Sequence, residues 1–384
     1  MNDATIEPGP TPLSHPRFRV IPRRSKQLVI FFSDASTPDN VFHWDAHAKR
    51  LKASVILVNN GPDEWYQGGI DGLGASVDEA VGTIQRWAAH LGATRLYTIG
   101  TAMGGTGALL YGAKLNANVL TFSPDTMLGL PLSDPHRLMS TGLQHADLRH
   151  LLMARTAGSV GIISAEGDPV DLLSAAHLTG IIRVNVISIQ RTNRKTSAHL
   201  HKQKLLNPIV DAFLADQRFP DLEAEGMGAH IPDLPEALYE AFYADSEGRF
   251  ADAERHARLA LELYPEAATA ATLLGKSLME QGRFKEALPI VRDAAKTNRS
   301  LENRFMLASL RENIGDLDVA VGMHKRILDL YPKFARSHYA IGQIEAQSEN
   351  WQAAMSHLEA AVQLEPETEI FHKELDRVRE IAKN

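Results

Sequence analysis

The chemistry in this 384-residue chain would centre on residues 96–110, LYTIGTAMGGTGALL. An apolar run leads into a tight glycine turn and then into a helix rich in alanine and glycine. Such a strand-to-helix turn presents its apex side chain clear of the sheet, and Gly100, Gly104 and Gly105 give the backbone the room it needs. The apex is Ala102, between Thr101 and Met103. A hydroxyl there could attack a substrate, but alanine has no oxygen. Thr101 and Thr106 are poor stand-ins, since neither occupies the apex.

Two other constellations fail on spacing. GTAMGGTG lacks the lysine and serine or threonine that end a phosphate-binding loop, and it lacks the G-x-G-x-x-G spacing with an acid downstream. His43, Asp45 and His47 stand two apart, and side chains at i and i+2 on a helix point to different faces. No glutamate follows His43 as it would in a zinc-protease helix. The chain has no cysteine, which excludes disulfides, thiolate zinc sites and cysteine nucleophiles. No metal and no cofactor is therefore expected.

The elements that must position the turn can be read from hydrophobic spacing. Apolar runs at 27–32 (QLVIFF), 54–58 (SVILV), 95–99, 118–122, 159–164 and 182–189 read as strands. Helical spacing appears at 39–51, 77–91, 105–115, 134–155, 172–177 and 200–215. Strands alternating with helices predict an α/β fold, a parallel sheet with helices on both faces, followed by an all-α solenoid. The expected divisions are a flexible lead-in over 1–25, the α/β domain over 26–216, a polar linker over 217–233 and a helical domain over 234–384.

Net charge is −7 and the pI about 6.1, so no global basic field would draw nucleic acid or anionic lipid. The N-terminus, MNDATIEPGPTPLSHPRF, carries acids and prolines where a signal peptide needs a basic start and an apolar run. No apolar stretch approaches a membrane span. A cytoplasmic protein is expected.

The last third of the chain repeats itself. Gly248 and Gly282 differ by 34 positions, as do Ala253 and Ala287, while Gly282 to Gly315 and Ala287 to Ala320 are 33. Ala320 to Ala354 is 34 again. Pro265, Pro332 and Pro366 close three of the four units, and Arg299 stands there in the second. This pattern resembles the tetratricopeptide repeat, four copies over 234–367 with a cap helix over 369–382. Such helix pairs stack into a superhelix whose concave face takes a peptide or partner protein. Phe242, Lys276, Phe305, Asn313, Arg336, Tyr339 and Gln343 are expected to face that groove. Leu238 and Phe242 occupy the places of the lysine and asparagine that carboxylate-clamp repeats use, so a mixed aromatic and polar groove is expected.

The glycine turn resembles the G-x-S-x-G nucleophile elbow of α/β-hydrolases, with Ala102 in place of the serine. NNGPDEWYQGGIDGLG before the elbow, GALLYGAKLNA after it and TFSP on the next strand bring a closer likeness over 27–205. It is to a bacterial group of α/β-hydrolase-like proteins linked with surface glycans, thought to act as esterases or acyl (acetyl) transferases. The resemblance implies a triad in the chain order nucleophile, acid, histidine. Asp168, in the loop AEGDPVD, would be the acid and His199 the base, with Asp171 and His201 as close competitors. It also implies oxyanion donors at Met103 N–H and at Ser33 or Asp34. Trp65 and Tyr66 would help to form the pocket, or else plug the space under their loop.

Two functions compete. One is a serine-hydrolase-type esterase or acyl(acetyl)transferase acting on an ester of a glycan or related metabolite, inert as written because Ala102 fills the nucleophile position, whether by engineering or by natural loss. The other is a non-catalytic pseudo-hydrolase adaptor that binds partners through its repeats. The expected partners are the ester substrate and a protein or peptide on the repeats, with no nucleic acid; a homo-oligomer is compatible with either reading.

Overall fold

Strands that are apolar along their whole length must be covered on both faces. The computed structural model, which describes residues 9–61, 64–139 and 142–382, meets this need with one sheet. Its described strands are β1 (Ser14–His15), β2 (Phe18–Ile21), β3 (Gln27–Phe32), β4 (Ser54–Val58), β5 (Arg95–Thr101), β6 (Asn118–Phe122), β7 (Val160–Ala165), β8 (Val184–Ile189) and β9 (Glu225–Gly226). The order is β1-β2-β4-β3-β5-β6-β7-β8-β9. The strands from β4 to β8 run parallel, and β1, β2 and β9 are antiparallel additions at the edges.

Helices α1 (Asp45–Arg50), α2 (Val77–His90), α3 (Ala102–Leu115), α4 (Asp134–Leu138), α5 (Arg149–Met153), α6 (Pro169–Ala176), α7 (Thr196–Lys202) and α8 (Leu206–Leu214) accompany the sheet. Val29 and Phe31 of β3 share a core with Ala48, Leu200, Ile209 and Phe213, so α1, α7 and α8 cover that face. On the other face Thr98 Oγ1 donates to the Ala108 carbonyl at 2.8 Å, which lays α3 against β5.

The chain falls into two units, Met1–Tyr239 and Glu240–Asn384. Three expectations need correction. Part of the 1–25 lead-in is sheet: Phe18 pairs with Val58 and Ile21 with Val55, with Phe18 and Val20 buried. The alternation of FRVI is that of a half-buried strand near the sheet edge. The 217–233 linker is also docked in part. Glu166 Oε1 accepts from the Gly228 N–H and the Ser188 hydroxyl, both at 2.6 Å, and β9 pairs with β8. Finally, the 134–155 helix is two short helices, with Asp147, just before the second of them, in an antiparallel bridge to Met127.

The second unit is helical. Its helices are α9 (Leu234–Ser246), α10 (Phe250–Leu263), α11 (Ala268–Glu280), α12 (Phe284–Thr297), α13 (Leu301–Asn313), α14 (Leu317–Leu330), α15 (Ala335–Gln347), α16 (Trp351–Leu364) and α17 (Glu369–Ile381), the first beginning before the division. The repeat alanines Ala253, Ala287, Ala320 and Ala354 are fully buried, because no larger side chain fits where the paired helices touch. Gly248, Gly282 and Gly315 take positive φ at the inter-helix turn, and Glu349 adopts the same conformation in the fourth unit.

Candidate functional site

β5 ends at Thr101 and α3 begins at Ala102, with no loop between them. Ala102 has φ +46°, a left-handed conformation unfavourable for a residue with a Cβ. The turn survives because its neighbours are glycines. A Cβ on Gly104 would stand 2.7 Å from the Ser33 carbonyl oxygen and closer still to that of Phe32. The backbone is that of an elbow, and its apex carries a methyl group.

The residues expected around the apex do not assemble into a triad. Asp168 caps α6, its Oδ1 accepting the Asp171 N–H at 3.0 Å. His199 lies within α7. Among the described residues no hydrogen bond or ion pair joins Asp168 or Asp171 to His199 or His201. Instead α7 is tied to the strand ends by hydroxyls: Thr101 to Ser197 at 2.9 Å, and Ser123 to Thr196 at 2.8 Å.

Of the expected oxyanion donors, one is already committed. Ser33 N–H donates to the Val58 carbonyl at 2.9 Å and continues the sheet ladder, so it cannot donate to an oxyanion. Met103 N–H, the donor just after the apex, lies close enough to the Asp34 carboxylate to help hold it ionised. The physical reason is the start of α3. Its first N–H groups have no partner within the helix, and its N-cap Thr101 supplies no side-chain bond. Asp34, just after the end of β3, brings its carboxylate close to that N-terminus. Burial raises its carboxyl above the ordinary range, while the bond from the Ala35 N–H, with His43, the Met103 N–H and Arg194 nearby, holds it down.

Trp65 and Tyr66 are 1% and 0% exposed, the burial an aromatic plug requires. Trp65 Nε1 donates to Asp125 Oδ2 at 2.7 Å, and Tyr66 OH donates to the Ser33 carbonyl at 2.8 Å. Neither ring offers a face to a ligand. The sequence reading missed the group they serve. Asp125, after β6, is buried and paired with the Arg194 guanidinium from the loop after β8. Thr106 Oγ1 bridges it to α3, donating to the Asp125 carbonyl at 2.8 Å. The signal available was position: Asp34, Asp125, Asp168 and Arg194 all follow carboxyl ends of parallel strands, where open α/β sheets build their sites.

Asp171 is buried beneath this cluster, accepting the Ala165 N–H at 2.8 Å. Burial pushes its carboxyl up to about 8, with Asp168 adding and Arg194 opposing. The folded chain therefore keeps a proton that the unfolded chain releases near 3.8. This contribution to stability is complete below the unfolded value and is lost as pH rises towards 8, at up to ~1.4 kcal/mol per pH unit. Urea unfolding between pH 5 and 8 should show the decline, and Asp171→Asn should flatten it. An unchanged slope in the variant would refute the assignment.

Asp45 is engaged by Arg19 at 2.8 Å and Lys49 at 2.6 Å, and burial lowers His47 to about 4. Among the described residues no cluster suits a metal ion.

In the second unit the expected groove residues are partly spoken for. Lys276 pairs with Asp245 at 2.6 Å, so its charge is already met. The Arg336 guanidinium lies 4.5 Å over the Phe305 ring, Tyr339 stacks on Phe371 at 4.8 Å, and Gln343 donates to the Tyr339 hydroxyl at 3.0 Å. Phe242 packs in the core of the first repeats, and Asn313 is exposed.

With this geometry in hand, comparison with known proteins bears on the second unit. The tetratricopeptide repeat family matches residues 240–300 and 305–367. The C-terminal part of the chain thus carries tetratricopeptide repeats, which form scaffolds for protein interaction. Similar solved structures include a MamA protein from Desulfovibrio magneticus RS-1, 15% identical over 40% of this chain and 86% of that one, TM-score 0.37. A tetratricopeptide repeat protein from Parabacteroides merdae ATCC 43184 is 19% identical over 38% and 60%, TM-score 0.34. YrrB, described as having an unusual peptide-binding site, is 20% identical over 47% and 88%, TM-score 0.35. No curated protein matches the chain. The likeness to hydrolases stands on the sequence motifs and the elbow backbone. No described helix is long and apolar enough to cross a membrane.

Proposed function

We propose that this protein is a non-catalytic adaptor: a hydrolase-like first unit without its reaction, joined to repeats that bind a partner protein. The observation that carries this reading is the elbow itself, where Ala102 stands in the place of a nucleophile and the Asp34 carboxylate lies close to the Met103 N–H. Acyl transfer needs an attacking oxygen and free donors for the negative charge that develops. A carboxylate lying on the donor repels that charge.

The test is ester hydrolysis by Ala102→Ser and by Ala102→Ser/Asp34→Ala, with short acyl esters. Neither variant is expected to exceed the parent chain by more than a few-fold, and neither should form an acyl-enzyme detectable by mass spectrometry. The competing reading, an esterase or acyl(acetyl)transferase of glycan-type esters, is favoured by the strained φ at Ala102, which a residue with no task at the apex does not require. Under it, Ala102→Ser would restore turnover that His199→Ala abolishes. That outcome would overturn the adaptor.

A further inference from the structure

We infer that the repeat unit holds a second binding crevice, on the side of α13 away from the expected groove, and that it takes an acidic peptide segment. The crevice, of about 310 Å³, is ringed by Arg292, Lys296, Arg299, Arg304 and Arg326 from α12, the following turn, α13 and α14. Leu307, Met323 and Ile327 supply its apolar part, and no acid lines it. Arg304 and Leu307 are three apart and share one side of α13. Phe305 leaves the other way, towards Phe334 at 5.3 Å and Arg336.

The repeat scaffold does not demand these charges. Counted from the first residues of α10, α12, α14 and α16, Lys296 stands where the other units carry Glu262, Asp329 and Gln363. Arg299 stands where they carry Pro265, Pro332 and Pro366, and Arg326 where they carry Leu259, Asp293 and Ala360. Those units pack without a cation at any of these places. The concentration also runs against a chain of net charge −7.

The cations are poorly neutralised from within. Asp293 lies 3.5 Å from Arg292 and 3.4 Å from Lys296, an exposed cluster in which such pairs contribute little. Arg304 Nε donates to the Arg299 carbonyl at 3.0 Å. The Arg299 and Arg326 side chains have no hydrogen-bond or ion-pair partner among the described residues. Like charges gathered round one opening repel, and an anion bound there relieves them.

The lining selects the kind of anion. Proteins that bind single-stranded nucleic acid stack its bases on aromatic side chains, and no aromatic residue lines this crevice. Leu307, Met323 and Ile327 suit an aliphatic side chain between acidic neighbours. An acidic peptide with a leucine-type residue among its carboxylates, or with phosphate in their place, satisfies both parts.

The inference rests on the adaptor reading in taking the second unit as a partner-binding element, and its test is separate from the ester assay. Fluorescence anisotropy of the full chain would use a labelled peptide of glutamates and aspartates with spaced leucines. Its arms are a phosphoserine version, a glutamine version and an oligothymidine of equal charge. The acidic peptide should bind, weaken with added salt, and lose about tenfold or more in affinity in Lys296→Glu/Arg326→Ser, with unchanged circular dichroism. A preference for the phosphoserine form assigns the anion to phosphate, and equal binding to carboxylate. If Arg336→Ser abolishes binding and the crevice variant does not, the adaptor stands and this site falls. Tighter binding of the oligothymidine, or equal binding of the glutamine peptide, overturns the proposal.

Discussion

Gly104→Ala should prevent the first unit from folding, while the repeat unit keeps its helical signal. The added Cβ would meet the Phe32 and Ser33 carbonyl oxygens, which belong to the end of the central strand and cannot rotate away. Ser33 is held by the ladder through its bond to Val58, so α3 would have to lift instead. That helix is buried along almost its whole length, from Met103 through Leu115, and lifting it opens the core. Overpacking commonly costs ~1–3 kcal/mol where side chains can adjust, and a clash between main chains leaves no such adjustment. Gly82→Ala is the matching control. It lies in α2 with only the tip of Arg86 at 3.8 Å, so it should stabilise by roughly 0.5–1 kcal/mol. Urea unfolding followed by circular dichroism reads both. A Gly104→Ala protein that keeps the parent's transitions would show that the elbow is not closely packed.

The second large effect belongs to Arg194. Arg194→Met strands the Asp125 carboxyl, 1% exposed, with Trp65 Nε1 as its remaining side-chain donor. Removing one partner of a buried ion pair costs about 3–5 kcal/mol, because the other charge stays out of water. Burial already raises Asp125, and Arg194 is the main influence against that rise. In Arg194→Met the acid should therefore take up a proton, and the lost stability should partly return as pH falls. Arg194→Met/Asp125→Asn should recover more than half of the loss, since the amide still accepts from Trp65 and carries no charge. A double variant as unstable as Arg194→Met would mean that Arg194 acts by packing rather than by charge.

What was legible in the chain was whatever repeats or alternates locally. The parallel strands stand close to where apolar runs placed them, and the 33- and 34-residue spacing of glycine and alanine marks the helical repeats. The elbow was legible because a glycine turn between strand and helix is a local event. Two edges were missed for opposite reasons. FRVI is too short and too basic to stand out until β4 offers it a partner, and 217–233 looks polar because its docking runs through backbone N–H groups onto Glu166.

The sequence by itself determined the two architectures and the absence of a hydroxyl at the turn's apex, Ala102, because periodicity and residue identity are properties of a few neighbouring positions. Only the tertiary structure decided what surrounds that alanine. Asp125 and Arg194 are 69 positions apart yet joined, while Asp168 and His199, 31 apart, are not. Such meetings depend on strand order, register and the cap each helix requires. Asp168 was drawn to the N-terminus of α6, since unpaired backbone donors there compete for the same carboxylates that a catalytic site would use.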